Sequence, residues 1–172
     1  MRVKTDRLVG HPVGPGDLDD LRALFQDERV GATLGGTRSE AEVEAIVDHD
    51  ARHWARHGYG VWAWHEPESG RFVGRAGLRT LPLLGSVETE VAYALMPEWW
   101  RRGLGTEMAV ASVDYAFETA GLDALVAFTM PTNAGSRRVM ENAGFVFDRE
   151  FTYANLPHVL YRLTKPTLSS TG

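Results

Sequence analysis

The sequence predicts an α/β (α+β) domain in which a mixed, twisted sheet of about seven strands carries helices on both faces. Three observations predict this class. The 172-residue chain has ordinary globular composition, with 44% hydrophobic and 24% charged residues. Apolar residues recur at helical spacing in some segments and alternate in others. No repeat or linker divides the chain, so we expect one domain over residues 1–166 and a frayed tail over 167–172.

The first part of the chain predicts one strand and two helices. Residues 7–13 can form a strand, and a Pro-Gly-Asp turn separates it from apolar residues at helical spacing over 18–25. Ser39 stands three residues before Glu42, which is the spacing of a capping box. We therefore expect a second helix that begins there and ends near Gly58.

The middle of the chain changes to the period of a strand. In the third candidate strand, Glu88 and Glu90 point to one side and Tyr93 points to the other. The candidate strands cover 61–64, 71–79 and 87–96.

The last part predicts alternating helices and strands. A long helix is expected to end at Gly121, because glycine is the usual residue just past a helix C-terminus. The predicted elements are a helix over 103–120, a strand over 124–130, a short helix over 133–142, and strands over 145–153 and 158–164.

The composition excludes several classes of function. There are no cysteines, so a disulfide framework, a thiolate metal site and a cysteine nucleophile are all excluded. No apolar run is long enough to cross a membrane, and the N-terminus lacks a hydrophobic signal segment, so we expect a cytoplasmic protein with no membrane partner. The net charge of -5 argues against nucleic acid as the main partner and favours cationic or neutral substrates.

A glycine-bearing turn joins the end of one predicted strand to the start of the long helix. It lies within MPEWWRRGLGTE, residues 96–107. The first turn of a helix leaves about four N–H groups without a partner and carries about half a unit of positive charge. Such a turn can bind a pyrophosphate. An ordinary strand-to-helix turn has the same pattern, so this motif alone leaves both interpretations open.

A second segment stands just past the following strand, in the order Asn-x-x-Ser-x-x-Val-x-Glu-x-x-Gly-Phe over residues 133–145. Together with Thr-Asp-Arg-Leu at 5–8 and FVGRAGL at 72–78, the two segments resemble the GNAT superfamily. Within it they are most similar to the ribosomal-protein alanine N-acetyltransferases (RimJ/RimL-like). The resemblance implies a GNAT fold with a V-shaped splay between the fourth and fifth strands, and direct transfer of acetyl from acetyl-CoA to an amine.

The resemblance also implies where acetyl-CoA binds. The pyrophosphate would contact the main-chain amides of Arg101, Arg102, Gly103, Leu104, Gly105 and Thr106. The pantetheine arm would pair with the backbone of Ala94, Leu95 and Met96 like an added strand, and Asn133 would hold its other side.

Two positions depart from the family pattern. Most members have Gln or Arg where this chain has Trp100, although tryptophan is frequent there in the RimJ/RimL-like branch. Many members have a tyrosine that protonates the leaving thiolate where this chain has Met140. The cofactor site is little affected by the first departure, and the second leaves the role of proton donor open.

Glu90 is the candidate base, and Ser136 is the candidate donor to the leaving thiolate. Glu88 lies roughly 7 Å from Glu90 along the same strand face, and mutual repulsion would raise one carboxyl pKa. The competing interpretation is a pair of solubilising carboxylates. For Ser136, which the resemblance places near the sulfur, the competing interpretation is a helix-start serine that bonds its own backbone.

Weaker candidates are Glu88, Trp64 and His158 for binding the acceptor. Tryptophan is more often a core residue, and a histidine before a strand is more often part of a turn. Histidines recur every four residues at 49, 53 and 57, but no carboxylate completes a zinc site, so we expect no metal.

Three functions stay open at this stage. By resemblance the acceptor is a protein N-terminal amine, which predicts an open groove. The alternative acceptor is a polyamine or aminoglycoside-like amine, which predicts a closed acidic pocket with Glu88 and Glu90. A non-catalytic acetyl-CoA sensor is supported only by Met140. The sequence leaves the oligomeric state open, with a homodimer as one option.

Overall fold

A computed structural model, which describes residues 1–167, contains an eight-stranded sheet in the order β1-β2-β3-β4-β5-β6-β8-β7. All neighbouring strands are antiparallel except β5 and β6. The strands are β1 Val3–Lys4, β2 Val9–Pro12, β3 Val61–His65, β4 Phe72–Leu83, β5 Ser86–Leu95, β6 Ala124–Thr129, β7 Val146–Tyr153 and β8 Leu156–Thr164.

Five α-helices accompany the sheet in these residues. They are α1 Leu18–Gln26, α2 Glu28–Gly31, α3 Glu40–His57, α4 Leu104–Asp114 and α5 Ala134–Asn142. Within the described range, no helix is both long and apolar enough to cross a membrane. From residue 168 onward, the predicted tail lies outside the described residues, and the domain limit at residue 166 stays a prediction.

The capping box predicted for the second helix is confirmed at the start of α3. The Ser39 side chain accepts a hydrogen bond from the amide of Glu42, and Glu42 Oε2 accepts one from the amide of Ser39 at 2.7 Å. Gly58 follows the helix in the left-handed region, with φ of 71°. Local residue chemistry was therefore sufficient to place both ends of this helix.

Three local features differ from the prediction. β1 and α2 were missed because segments of two and four residues are too short to show a period. The helix predicted over 103–120 is α-helical only as far as Asp114, and Tyr115–Thr119 forms a π-helical turn. This wider turn packs Tyr115 against Trp62, at 4.9 Å between ring centroids, and keeps Phe117 in the core.

Helices cover both faces of the sheet, as predicted. Alternate residues of β3 point to opposite faces: Val61 and Ala63 pack with α1 and α3, whereas Trp62 and Trp64 pack with α4. The core of the other half contains residues from β4, β5, β6, β8, α4 and α5.

The sheet is splayed between β5 and β6. Their parallel ladder contains a single pair, Glu90 with Val126. Beyond this pair, β5 continues to Leu95 along one arm of the V. In the other arm, β6 pairs along its whole length with β8. The predicted V-shaped splay is therefore confirmed. In the sequence analysis these were the fourth and fifth strands, because β1 was missed.

Candidate active site

The turn before α4 is rich in free main-chain donors. Arg101 and Gly103 both have positive φ, at 60° and 75°, and α4 begins at the next residue. Within residues 1–167, no group accepts a hydrogen bond from any amide between Arg101 and Thr106. Alternation of left-handed residues with others makes a concave arrangement of N–H groups that binds anions. Amides without an intramolecular partner are therefore available at this turn, and pyrophosphate binding there stays a prediction.

The N-terminal segment supports this turn through hydrogen bonds to Glu107 and Arg102, which the sequence did not predict. Glu107, in the first turn of α4, accepts hydrogen bonds from Thr5 Oγ1 at 2.6 Å and from Arg7 Nε at 2.7 Å. Arg7 Nη1 also donates to the carbonyl of Arg102 at 2.8 Å. Partial burial works against ionisation of Glu107, but the bonds from Thr5 and Arg7 outweigh it and lower its pKa.

The free edge of β5 lies along one arm of the V. Met96 N–H donates to the Val73 carbonyl of β4 at 2.9 Å. Because hydrogen-bonded pairs alternate along an antiparallel ladder, the main-chain groups of Ala94 also face β4, and those of Tyr93 and Leu95 face the cleft.

This alternation refines the predicted pantetheine contacts. Of Ala94, Leu95 and Met96, only Leu95 turns its main-chain groups to the cleft, and Tyr93 is the second residue that does so. The Leu95 carbonyl already accepts a hydrogen bond from Trp100 Nε1 at 2.9 Å. The amide of Leu95 is left facing the cleft, as expected for a group that polarises a thioester carbonyl.

The predicted arginines beside the turn are both exposed. The guanidinium of Arg102 stacks over Trp99 at 5.1 Å, and Arg71 stacks on the same ring at 5.0 Å. Trp99 itself is anchored by a bond from its indole N–H to the Phe72 carbonyl. Contact of the main-chain amides of Arg101 and Arg102 with a pyrophosphate stays a prediction.

Asn133 and Ser136 lie at the start of α5. Asn133 caps the helix, because its Oδ1 accepts a hydrogen bond from the amide of Ser136 at 3.1 Å. The hydroxyl of Ser136 lies 2.9 Å from that of Tyr93, which also donates to the Ser136 carbonyl at 2.9 Å. Burial raises the pKa of Tyr93 well above its ordinary value, against the opposing effect of its bond with Ser136.

Glu90 is buried at the vertex of the V, with 4% of its surface exposed. Arg79 donates to it from Nη2 at 2.6 Å and from Nε at 2.9 Å, and both bonds reach Oε2. Oε1 has no partner in the described residues and is not sealed from solvent. The Glu90 charge raises the pKa of Arg79.

Glu88 forms an ion pair with a different arginine, Arg162. Its Oε1 accepts a hydrogen bond from Arg162 Nη1 at 3.0 Å, and Arg162 also pairs with Asp148. The sequence predicts mutual repulsion between Glu88 and Glu90. In the structure, an arginine offsets this repulsion at each of the two carboxylates. Arg79 was missed because it lies 11 residues away along the chain, although it faces Glu90 directly across the β4–β5 hairpin.

Glu90 and Tyr93 are separated by an odd number of positions on β5, so their side chains lie on opposite faces of the sheet. A group that passes through the V would therefore meet Glu90 on one face and the Ser136 and Tyr93 hydroxyls on the other. This arrangement can place a base and a hydrogen-bond donor on the two sides of one reacting carbonyl.

Residues 7–146 match the family described as "Acetyltransferase (GNAT) domain". The chain belongs to the GNAT acetyltransferase family.

Similar proteins agree with this assignment. This GNAT chain is 25% identical to the uncharacterized N-acetyltransferase YoaA of Bacillus subtilis over 95% of its own length and 97% of the relative. It is 30% identical to the FsC-acetyl coenzyme A-N(2)-transacetylase of Aspergillus fumigatus, over 86% of this chain and 66% of that one. It is also similar to the crystal structure of an acetyltransferase from Agrobacterium tumefaciens, at 28% identity and a TM-score of 0.85, with 96% and 95% of the two chains covered.

Membership of the GNAT family makes this protein an acyltransferase that transfers an acetyl group to an amine. The non-catalytic alternative rested on Met140 alone. That methionine lies in the core, packed with residues of β5, β6 and α4, so it contributes to stability.

Two of the candidate acceptor residues have clear surroundings. Trp64 is fully buried and its indole N–H donates to the Ala76 carbonyl at 3.1 Å, so the prediction that it binds the acceptor is corrected to a core role. His158 is half-buried among the rings of Phe128, Phe151 and Tyr153. Its contact with an acceptor stays a prediction.

The histidine row on α3 has a structural role. His53 Nε2 accepts a hydrogen bond from the amide of Thr80, so Nδ1 carries the proton and donates to the Tyr59 carbonyl at 2.9 Å. Burial lowers the pKa of His53. In the part of the chain that the structure describes, no three His, Cys, Asp or Glu side chains are grouped to hold a metal ion. His53 thus joins α3 to the part of β4 that extends beyond the end of β3.

Proposed function

We propose that this enzyme transfers the acetyl group of acetyl-CoA to the N-terminal amine of a protein, as a RimJ/RimL-like member of the family. The observation that carries the proposal is the V between β5 and β6, with unpaired amides at its mouth and Glu90 at its vertex. A cytoplasmic location and a single domain over residues 1–166 belong to the same proposal.

The donor would bind along one arm of the V. The amides from Arg101 to Thr106 would hold the pyrophosphate, supported by the partial positive charge at the start of α4. The pantetheine arm would run antiparallel or parallel to β5 and pair with the edge groups of Tyr93 and Leu95. Asn133 would use the amide end of its side chain, because its Oδ1 caps α5.

The residues then have three tasks. Glu90 Oε1 accepts the proton of the attacking amine, directly or through a water. The amide of Leu95 binds the carbonyl oxygen as it gains negative charge. The hydroxyl of Ser136 donates a hydrogen bond to the leaving sulfur. Transfer is direct, because the chain has no cysteine to carry the acetyl group.

The charges near the vertex favour a protein N-terminus over a polycation. A polyamine needs carboxylates that are free to bind its several ammonium groups. Here Glu90 is paired with Arg79 and Glu88 with Arg162, so a polycation would have to displace two arginines.

A small-molecule amine is the second candidate acceptor. The relative from Aspergillus fumigatus at 30% identity is an FsC-acetyl coenzyme A-N(2)-transacetylase by name. That name specifies acetyl transfer to an N(2) position. The aromatic group around His158 would offer an apolar wall to a small amine.

Thiol release from acetyl-CoA tests the acceptor class. The matched pair is one short peptide with a free N-terminal alanine and an internal lysine, and the same peptide with its N-terminus already acetylated. Spermidine and an aminoglycoside complete the panel. The proposal expects release with the free peptide and none with the blocked one. Turnover with only the small amines would overturn the acceptor assignment, and no binding of acetyl-CoA at millimolar concentration would overturn the whole proposal.

A further inference from the structure

We propose that Tyr93 is a positioning residue that aims the hydroxyl of Ser136 at the leaving sulfur. This inference rests on the proposed function, in which Ser136 stabilises the thiolate. It concerns a residue that no motif of the sequence singled out, and it follows from how β5 and α5 meet at the cleft.

Ser136 uses a hydrogen-bond partner outside its own helix. A serine at the start of a helix usually bonds its own backbone. Here the hydrogen bond of Ser136 Oγ goes to Tyr93 Oη, at 2.9 Å, across 43 residues of sequence. The amide of Ser136 is already bound by Asn133 Oδ1. The helix start is thus satisfied by another residue, and the Ser136 hydroxyl is held by Tyr93.

Tyr93 and Ser136 share two hydroxyl protons among three oxygen atoms. Tyr93 has one hydroxyl proton and two acceptors within 2.9 Å, the carbonyl and the hydroxyl of Ser136. When Tyr93 donates to the carbonyl, Ser136 must donate to Tyr93. When Tyr93 donates to Ser136 Oγ, the proton of Ser136 is free to point elsewhere. The pair can therefore change from a closed arrangement to one that offers a donor to a new acceptor, with no movement of heavy atoms.

This donor lies beside the part of β5 that faces the cleft. The main-chain groups of Tyr93 face the cleft, one alternation before Leu95, whose amide would hold the thioester carbonyl. Burial keeps the pKa of Tyr93 high, so the tyrosine stays protonated and acts as a donor in both arrangements.

Acetyl transfer forms one bond to the carbonyl carbon and breaks another. The amine nitrogen forms its bond to the carbonyl carbon and loses a proton to Glu90 or water. The carbon–sulfur bond breaks, and its electron pair goes to sulfur. Ser136 donates a hydrogen bond to this thiolate while Tyr93 donates to Ser136. The thiolate later takes up a proton from solvent, and the proton that Glu90 or water accepted returns to solvent, so neither hydroxyl is consumed.

The test compares two tyrosine hydroxyls. Tyr93→Phe removes the bond to Ser136. Tyr161→Phe is the matched control, because Tyr161 belongs to the core cluster against which Tyr93 packs, and its hydroxyl bonds Arg137 and Glu141 instead of Ser136. We expect Tyr93→Phe to lower kcat about tenfold with little change in the KM for acetyl-CoA. Tyr161→Phe should stay close to the wild type.

A second measurement separates positioning from packing. Titration of bound CoA, followed by the ultraviolet absorbance of its thiolate, gives the pKa of the thiol in the complex. A donor at Ser136 lowers this pKa below the ordinary thiol value of about 8.5, and both Tyr93→Phe and Ser136→Ala should raise it. The double variant should be no slower than Ser136→Ala alone, because the two hydroxyls act as a unit.

The outcomes are distinct. Wild-type kcat and thiol pKa in Tyr93→Phe would overturn this inference and leave the acetyltransferase proposal intact. Equal losses of kcat in both tyrosine variants with an unchanged thiol pKa would also overturn it, because they would show a packing effect. Failure of the wild-type protein to bind CoA would instead overturn the proposed function.

Discussion

Glu90 combines two properties that a buried base needs. Taking a carboxylate out of water is costly, and the pair with Arg79 offsets that cost. Both bonds from Arg79 reach Oε2, so Oε1 is left to accept a proton or a bridging water. The arginine thus stabilises the charge without occupying the atom that reacts.

Glu90→Gln and Arg79→Gln test this division of roles. Each change breaks the same ion pair. Arg79→Gln leaves the buried Glu90 carboxylate without a partner, so we expect it to lower the free energy of unfolding by about 3 kcal/mol. Glu90→Gln leaves only the partly exposed Arg79 unpaired and should lower it less. Only Glu90→Gln removes the base. We expect it to lower kcat about 100-fold, with a much smaller loss for Arg79→Gln.

Chemical denaturation and steady-state kinetics on both variants provide the comparison. Equal losses of kcat in the two variants would assign Glu90 a structural role. A normal kcat in Glu90→Gln would remove the base assignment altogether.

Residues that belong to a motif could be identified from the sequence, whereas residues that act through contacts between distant segments could not. Ser136 and Asn133 were found because the family resemblance fixes their spacing. Arg79 and Tyr93 were not found, because a cross-strand pair and a strand-to-helix contact leave no periodic signal along the chain. Trp64 was wrongly assigned to acceptor binding, because the residue type alone does not show which face of the sheet its side chain occupies.

The conformation of the turn before α4 depends more on Gly103 than on Gly105. Gly103 has φ of 75°, which disfavours any side chain, although an added Cβ would have space. Gly105 is helical, and an added Cβ would point at Val139 and Leu95, with nearest contacts of 3.4 and 3.6 Å.

We therefore expect Gly103→Ala to lower stability by about 1 kcal/mol and to raise the KM for acetyl-CoA, because the amides from 101 to 106 lose their orientation. Gly105→Ala is the control and should change both quantities little. Calorimetric titration with CoA and thermal unfolding measure the two effects. Unchanged CoA affinity in Gly103→Ala would show that the pyrophosphate does not lie against this turn.

How well the elements could be predicted depended on local chemistry. α3 was placed at both ends because its capping box and terminal glycine are encoded by adjacent residues. The end of α4 was not, because the π-helical turn at Tyr115–Thr119 follows from packing against Trp54 and Trp62, which precede it by more than 50 residues. Tertiary contacts decided that element.

In the whole molecule, the proposed site is assembled from parts of the chain that are far apart. The vertex comes from a single parallel pair between β5 and β6. The mouth comes from the turn before α4, and the N-terminal segment locks that turn through Glu107. Strand periodicity could predict the strands but not their order, and the splay was predictable only through the family resemblance.

Glu107→Gln tests whether the N-terminal segment supports the mouth of the cleft. A neutral amide cannot pair with Arg7 as the carboxylate does, so we expect a loss of about 2 kcal/mol in the free energy of unfolding at neutral pH. The KM for acetyl-CoA should rise with kcat unchanged, because Arg7 also binds the Arg102 carbonyl. Glu118→Gln, which alters an exposed carboxylate just beyond α4, is the control.

The pH dependence of this loss has a defined sign. The pKa of Glu107 is lower in the folded protein than the ordinary glutamate value of about 4.3, so its stabilising effect is complete above that pH. It is lost as the pH falls through the lower folded pKa, where the wild-type carboxyl also becomes neutral. Urea denaturation of both proteins from neutral to acidic pH should therefore show the stability gap closing below about pH 4. A gap that stays constant over this range would mean that the shape of the side chain, and not its charge, ties the N-terminal segment to α4.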